Sequence, residues 1–122
     1  MVQVTNNKIL MTRGDSLRLQ LDIYQTDGSK YQIQNGDKIR FAASIGYADD
    51  KDNYKLVINK QIEHIVDSNV ENDPGILLLS LDPEDTNKLD SGTYNYDIQI
   101  TFSDGRVDTF IASTLTLSPE VA

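Results

Sequence analysis

A turn that leads directly into an alternating strand constrains the fold of this chain most. The turn is Asp90-Ser91-Gly92, and large apolar residues then occupy every second position: Tyr94, Tyr96, Ile98, Ile100 and Phe102. A period of two is typical of a strand with one buried face. The Asp-x-Gly-x-Tyr spacing is also what a tyrosine corner needs, in which the ring returns its hydroxyl to upstream backbone. Asp90, Gly92 and Tyr94 are therefore predicted to be structural residues of a β-sandwich.

The same alternation recurs along the rest of the chain, and helical periodicity is nearly absent. Strands are predicted over residues 17–24, 38–43, 54–59, 76–81 and 107–117, with 61–66 extending the third of these or pairing near it. Turns separate them at Asp27-Gly28, Asn35-Gly36, Pro74-Gly75 and Asp104-Gly105. Asp82-Pro83 predicts one short helical turn near 83–89, because Asp caps a helix and Pro fits its first position.

These elements predict an all-β fold with about 7–9 strands, namely a single antiparallel β-sandwich of immunoglobulin-like or other Greek-key type. One such domain accounts for residues 1–122, with residues 1–8 flexible or forming an edge strand. The nearly continuous apolar run Ile76–Leu81 predicts a strand covered on both faces. Alternation in the last strand predicts one shared face for Val107, Thr109, Ile111, Leu115 and Leu117.

Composition excludes several classes of function. The chain has no Cys, which excludes disulfides and thiolate zinc sites. Its 19 acidic and 11 basic residues give a net charge of −8. An acidic surface repels phosphate, so nucleic acid and anionic membranes are not expected partners. The N-terminal residues are polar and no apolar run approaches the roughly 20 residues of a membrane span, so neither a signal peptide nor a transmembrane segment is predicted.

The residues that could support catalysis have plainer interpretations. His64 is the only histidine, and it alternates with Ile62 and Val66, which favours a strand residue with a satisfied ring. No catalytic triad can be built around a lone histidine without distant partners. Glu84 and Asp85 form a carboxylate pair, but a helix start explains them. We therefore expect no enzyme activity, no catalytic residues, no cofactor and no metal.

Two further motifs are weak. The oxygen-rich loop Asp49, Asp50, Asp52 and Asn53 lacks the Gly turn and closing Glu of a calcium loop, so a solvated acidic loop is favoured. Arg13-Gly14-Asp15-Ser16 matches an integrin-binding tetrapeptide, but it directly precedes an alternating strand. A turn or bulge that uses Gly14 for backbone freedom is the preferred interpretation.

Four tyrosines, Tyr24, Tyr31, Tyr47 and Tyr54, could form part of a sugar-binding platform. Tyr47 and Tyr54 flank the acidic loop, which makes them the ligand-binding candidates. The alternative is that they are ordinary strand-edge tyrosines, since tyrosine is common on half-buried strands.

The segment from Ile76 to Tyr96 resembles the region between the fifth and sixth strands of immunoglobulin-like domains. The residues that carry this resemblance are Leu77, Leu79, Leu81, Asp85, Asp90, Gly92 and Tyr94. Tyr96 stands where that family has Cys, and the chain has no Trp, so it departs from antibody-type domains.

A second resemblance covers roughly residues 9–121. Thr12-Arg13-Gly14-Asp15-Ser16 precedes an alternating strand, Leu81–Leu89 leads into Gly92–Ile100, and Ser103-Asp104-Gly105 precedes a terminal strand containing Leu115-Thr116-Leu117. This arrangement is similar to small β-sandwich structural proteins from tail and baseplate gene clusters of phages and prophages of Gram-positive bacteria.

That resemblance implies a non-enzymatic virion structural protein of the tail, baseplate or neck, assembled in the bacterial cytoplasm. Its expected partners are other phage structural proteins or further copies of itself. The alternative is a carbohydrate- or receptor-binding module of a bacterial or phage surface protein, with a glycan as ligand.

Overall fold

Strands dominate the computed structural model, which describes residues 2–5 and 7–121. This confirms the all-β class. The strands are β1 Val2–Thr5, β2 Lys8–Thr12, β3 Leu17–Leu21, β4 Lys38–Ile45, β5 Lys55–Ile65, β6 Ile76–Leu81, β7 Gly92–Thr101 and β8 Val107–Ser118. A one-turn helix, α1 Pro83–Thr86, lies between β6 and β7, so the helical turn is shorter than the predicted 83–89.

The strands form one sheet in the order β1-β2-β8-β7-β4-β5-β6-β3, and this sheet curves into a half-barrel. Neighbouring strands are antiparallel except β2 and β8, which are parallel. The long strand β5 connects the two parts of the sheet, because residues 55–62 pair along β4 and residues 63–65 pair with β6. The segment predicted at 61–66 therefore extends the preceding strand and also pairs with its neighbour.

One hydrophobic core lies inside the curve of the sheet, and every strand from β2 to β8 contributes to it. In β7 the alternating residues Tyr94, Tyr96, Ile98 and Ile100 are all buried, as the sequence pattern predicts. Phe41 of β4 stacks on Tyr96 with ring centroids 5.1 Å apart. Burying each large aliphatic side chain contributes about 1.5–3 kcal/mol, which favours this single curved arrangement.

The prediction that β6 is covered on both faces is wrong. Leu77, Leu79 and Leu81 are buried, whereas Leu78 is only half-buried and Ile76 is exposed. The sheet curves around one side of the strand, so only alternate residues reach the core. The other face of β6 stays partly in solvent despite its apolar sequence.

The predicted common face of β8 is also wrong, because a β-bulge interrupts the strand. Ile98 pairs with Ile111, but the next residue, Gln99, pairs with Thr109, which leaves Phe110 unpaired. One extra residue moves all the residues before it to the opposite face. Val107 and Thr109 therefore do not share the core face of Leu115 and Leu117, and both are exposed.

Helix α1 is fixed at its start and at its end. The Asp82 backbone N–H donates to the Asp85 carboxylate at 2.7 Å, as in a capping box. Thr86 is completely buried, and its hydroxyl accepts the Gly14 backbone N–H at 2.8 Å. The helix thereby holds the turn between β2 and β3 against the end of the core.

Candidate functional site

The central strands β4, β7 and β8 carry a groove on the face turned away from the core, with a volume of about 430 Å³. Core residues alternate with outward-facing residues along these strands, and the outward-facing ones here are small or polar. They are Arg40, Ala42, Ser44, Asn95, Asp97, Gln99, Ala112 and Thr114. We call this surface, together with Tyr47, Tyr54 and Leu56 at its side, the outer groove.

The loop from Gly46 to Asn53 brings the two candidate tyrosines to the same groove. Two successive turns build it, since the Asp50 N–H bonds to the Tyr47 carbonyl and the Asn53 N–H bonds to the Asp50 carbonyl. Tyr47 is 68% exposed and Tyr54 is half-buried. Both line the outer groove, so the structure brings together the pair that the sequence singled out.

Gly46 determines where this loop leaves β4. Its φ is +71°, and a Cβ on this residue would lie 2.6 Å from the carbonyl oxygen of Asn53. Two side chains on the groove floor fix the same residue, because Ser44 Oγ and Asn95 Nδ2 donate to the Gly46 carbonyl at 2.8 and 3.1 Å. The position of Tyr47 is therefore tied to the sheet by the residue that precedes it.

A bulge in β5 places Leu56 on the groove side. Ala43 pairs with Ile58, but Ser44 pairs with Leu56, so Val57 is the extra residue. Residues directly opposite each other share a face of the sheet, so Leu56 lies on the same face as Ser44. Without the extra residue, Leu56 would pair with Ile45 and point to the other face.

Charged and amide groups occupy the other end of the groove floor. The Arg40 guanidinium donates to Gln99 Oε1 at 2.7 Å and lies 3.9 Å from Asp97 Oδ1. That distance is too long for a hydrogen bond. Asp97 Oδ1 is buried and has no hydrogen-bond partner among the residues the structure describes. The floor thus combines one cation and one anion, with hydrogen-bonding capacity that the fold does not use up.

The other two tyrosines of the predicted platform lie elsewhere. Tyr24 is 63% exposed and does not line the groove. The Tyr31 hydroxyl donates to the Asp37 carboxylate at 2.6 Å, and its ring meets Phe102 edge-to-face with centroids 5.6 Å apart. Burial, reinforced by Asp37, raises the pKa of Tyr31 to about 12.

The residues predicted to be structural meet at the start of β7. The buried Tyr94 ring returns its hydroxyl to the Asp90 carbonyl at 2.6 Å, and Gly92 between them has a φ of +147°. Burial raises the pKa of Tyr94. This is the geometry of a tyrosine corner, and it gives the Tyr94 ring and hydroxyl a structural role.

Tyr96, at the Cys position of the immunoglobulin pattern, connects two regions of the sheet. Its hydroxyl donates to the Asn7 carbonyl in the turn between β1 and β2. Burial raises the pKa of this phenol as well. A buried ring with a hydrogen-bonded hydroxyl therefore occupies the position where antibody-type domains have a disulfide.

The Arg-Gly-Asp triplet is part of the scaffold. The Arg13 guanidinium contacts both oxygens of Glu120 at 2.6 and 3.1 Å and donates to the Leu89 carbonyl at 3.0 Å. Gly14 has a φ of +86° in the turn between β2 and β3. Arg13 links this turn to the chain after β8, which confirms the interpretation as a turn.

The remaining polar candidates from the sequence also make hydrogen bonds within the fold. They are His64, the acidic loop and the carboxylates at the helix start. His64 Nε2 lies 2.8 Å from the Pro74 carbonyl, which confirms a strand histidine with a satisfied ring. In the acidic loop, the Asp50 carboxylate accepts from Asn53 Nδ2 at 2.9 Å. Asp85 accepts from Lys60 Nζ at 2.6 Å, and this contact raises the pKa of Lys60. In the described part of the chain, no group of three or more His, Asp or Glu side chains is arranged to hold a metal ion.

Sequence reasoning identified the two tyrosines of the outer groove but missed its floor and Leu56. The signal on the floor was present, because Ala42, Ala112 and Ser44 are small residues at outward-facing strand positions. The position of Leu56 depends on the bulge at Val57, and the alternation of apolar and polar residues does not indicate this bulge.

No protein-family model, curated protein or solved structure matches this chain. Within residues 2–5 and 7–121, no helix is long and apolar enough to cross a membrane.

Proposed function

We propose that this chain is a non-enzymatic structural protein of a phage or prophage virion that acts by docking other proteins of the tail, baseplate or neck. The proposal starts from the turn-and-strand pattern over residues 9–121 that resembles such proteins. Its location would be the virion, after assembly in the bacterial cytoplasm. Its partners would be other virion proteins or further copies of the same chain.

The observation that carries a docking role is the open sheet. A half-barrel keeps two edges, and here they are β1 and β3, which pair only with β2 and β6 among the described strands. An edge strand presents unpaired backbone N–H and C=O groups that a partner strand can extend. β3 combines this edge with exposed Arg18 and Gln20, which suit a polar partner surface.

We further propose that the sheet belongs to the immunoglobulin-like Greek-key class. Three pairings support this, namely parallel β2 with β8, β3 with β6, and β4 with β7. Each pairing joins strands that are not consecutive in the chain, as Greek-key connections do. The tyrosine corner at Tyr94 agrees with it. Nuclear Overhauser contacts between the β3–β6 and β4–β7 pairs would test the layering directly.

The test of the docking role begins with purified particles of the phage or prophage that encodes the chain. Mass spectrometry of these virions is expected to detect the chain in a fixed ratio to other tail proteins. The chain is then mixed with the proteins encoded by the neighbouring genes. Hydrogen–deuterium exchange of this mixture should show new protection at backbone amides of β1 or β3. Particles that lack the chain would contradict the virion assignment, and protection confined to strands other than β1 and β3 would contradict docking through these two edges.

A further inference from the structure

The outer groove is a built recess on the central face of the sheet, with its floor on β4, β7 and β8. We propose that it binds a neutral carbohydrate. Tyr47 and Tyr54 would stack on the sugar ring, and Asp97, Gln99 and Asn95 would bind its hydroxyls. This inference stands apart from the docking proposal, because it uses the central face of the sheet and neither edge.

The lining of the groove has the chemistry that sugar hydroxyls and sugar rings require. Sugar hydroxyls act as donors and acceptors at once, so they match a mixture of carboxylate, amide and hydroxyl groups. The groove offers this mixture through Asp97, Gln99, Asn95 and Thr114. Its tyrosines supply flat apolar faces with a polar end, which suit a ring that is apolar on its C–H face. A volume of about 430 Å³ lies within the range of small-molecule sites, roughly 300–1,000 Å³.

The floor of the groove does not suit an extended peptide that binds by strand addition. A peptide that adds to a sheet needs free backbone groups at an edge. Along the centre of the groove floor, β4 pairs with β5 and β7, and β7 pairs with β4 and β8, so the backbone groups of these two strands are used in the ladders. In β8, only residues 115–118 have β2 as a second neighbour. Recognition on the floor formed by β4 and β7 must therefore come from side chains, which favours a compact ligand rich in hydroxyls.

The charges on and around the groove favour a neutral ligand. Arg40 and Asp97 lie close together on the floor, so the positive charge available to an anion is already offset. The adjoining loop carries Asp49, Asp50 and Asp52 against a single Lys51. An acidic rim repels carboxylated or phosphorylated sugars. A neutral sugar fits this field better than an anionic one.

Two local features position the walls of the groove. The bulge at Val57 places Leu56 beside Ser44 on the groove side. The contacts from Ser44 and Asn95 to the Gly46 carbonyl hold the loop that carries Tyr47. A loop held by such backbone contacts loses little conformational freedom when a ligand binds.

The experiment is a titration of the ¹⁵N-labelled chain with matched neutral and anionic sugars. Binding is measured from the changes in amide chemical shifts. Glucose, galactose, rhamnose and N-acetylglucosamine are the neutral probes, and glucuronate and galacturonate are the anionic counterparts. At least one neutral sugar is expected to give saturable shifts centred on Ser44, Asn95, Asp97 and Gln99. The matching uronate should bind at least about tenfold more weakly, a difference of about 1.4 kcal/mol.

Variants assign the binding to the groove. Tyr47→Ala and Tyr54→Ala are each expected to weaken it about tenfold, whereas Tyr24→Ala, which removes a similarly exposed tyrosine outside the groove, should leave it unchanged. Urea unfolding of each variant checks that the fold is intact. Absence of saturable shifts with the whole neutral panel would overturn the proposal, as would equal affinity in the Tyr47 and Tyr54 variants or tighter binding of the uronates.

Discussion

The side-chain hydroxyl of Tyr94 donates a 2.6 Å hydrogen bond to the backbone carbonyl of Asp90, four residues earlier in the chain. This bond closes the turn that leads from the helix region into β7. The ring itself lies in the core, so one residue both fills apolar space and satisfies a backbone acceptor of the turn. A carbonyl left without a partner in a partly buried position is costly, which explains why a phenol is used here instead of a phenyl ring.

The first prediction concerns this hydroxyl. Tyr94→Phe keeps the ring but removes the donor, and the free energy of unfolding should fall by about 1–2 kcal/mol. Urea denaturation followed by circular dichroism measures the change. Tyr24→Phe is the matched control, because its exposed hydroxyl should matter little. Equal stability of the two variants would show that the tyrosine corner contributes nothing measurable.

The second prediction concerns the loop that supports the outer groove. Gly46→Ala places a methyl group 2.6 Å from the Asn53 carbonyl oxygen and also forces an L residue to a φ of +71°. Gly28→Ala is the control, because its φ is +89° but its methyl group would meet nothing within 4 Å.

Backbone strain alone should cost about 1–2 kcal/mol in the Gly28 variant. Gly46→Ala should cost about 1–3 kcal/mol more, because an overpacked contact adds to the same strain. Urea unfolding gives both values, and amide shifts of Tyr47 and Tyr54 report movement of the loop. Similar losses in the two variants would mean that the approach of Asn53 to Gly46 is not a tight one.

Alternation predicted the β-rich class and the main strands well, because the core faces of β4 and β7 follow a strict period of two. It failed where an extra residue shifts the period. Phe110 in β8 and Val57 in β5 are such residues, and neither is a Gly or Pro that would mark a bulge in the sequence. Alternation therefore could not predict which face of the sheet Val107 and Leu56 occupy.

One part of the candidate site, the tyrosine pair, could be predicted because its two residues are close in sequence. Tyr47 and Tyr54 lie at the two ends of one short loop, so their proximity follows from the chain itself. Arg40, Asp97 and Gln99 come together only through the pairing of β4 with β7, which joins residues almost sixty positions apart. Pairing between strands so distant in sequence is set by the whole core and leaves no local mark.

The third prediction concerns Lys60, whose ammonium group lies 2.6 Å from the Asp85 carboxylate and 3.4 Å from that of Asp82. The hydrogen bond to Asp85 raises the pKa of Lys60 above its usual 10.5. Lys60→Met should lower the free energy of unfolding by about 1 kcal/mol, because a charged hydrogen bond at a partly shielded site is lost. Lys55→Met, at an exposed position of the same strand, is the control.

The pH dependence of this loss follows from the direction of the shift. A group whose pKa is raised by folding contributes fully below its unfolded pKa and loses that contribution as pH rises through the folded value. The difference in stability between the wild type and Lys60→Met should therefore be constant from pH 6 to 9 and shrink only above about 10.5. A difference that disappears near neutral pH would contradict this assignment.

The fourth prediction concerns the ion pair between Arg13 and Glu120, which holds the chain after β8 to the turn between β2 and β3. The hydrogen bonds from Arg13 lower the pKa of Glu120 below its usual 4.5. A carboxylate with a lowered pKa contributes above its unfolded pKa and loses that contribution as pH falls through the folded value. Glu120→Gln should therefore unfold at a lower urea concentration than the wild type at pH 7.

The difference in urea midpoint should narrow as the pH falls below 4.5 and vanish once Glu120 is fully protonated in the folded state. The exposed loop variant Glu71→Gln is the control for removing one negative charge from an acidic protein, since it lies away from Arg13. High salt should also reduce the effect of Glu120→Gln at pH 7, because exposed ion pairs are screened. A midpoint difference that persists unchanged at pH 2 would show that the variant acts through something other than the carboxylate charge.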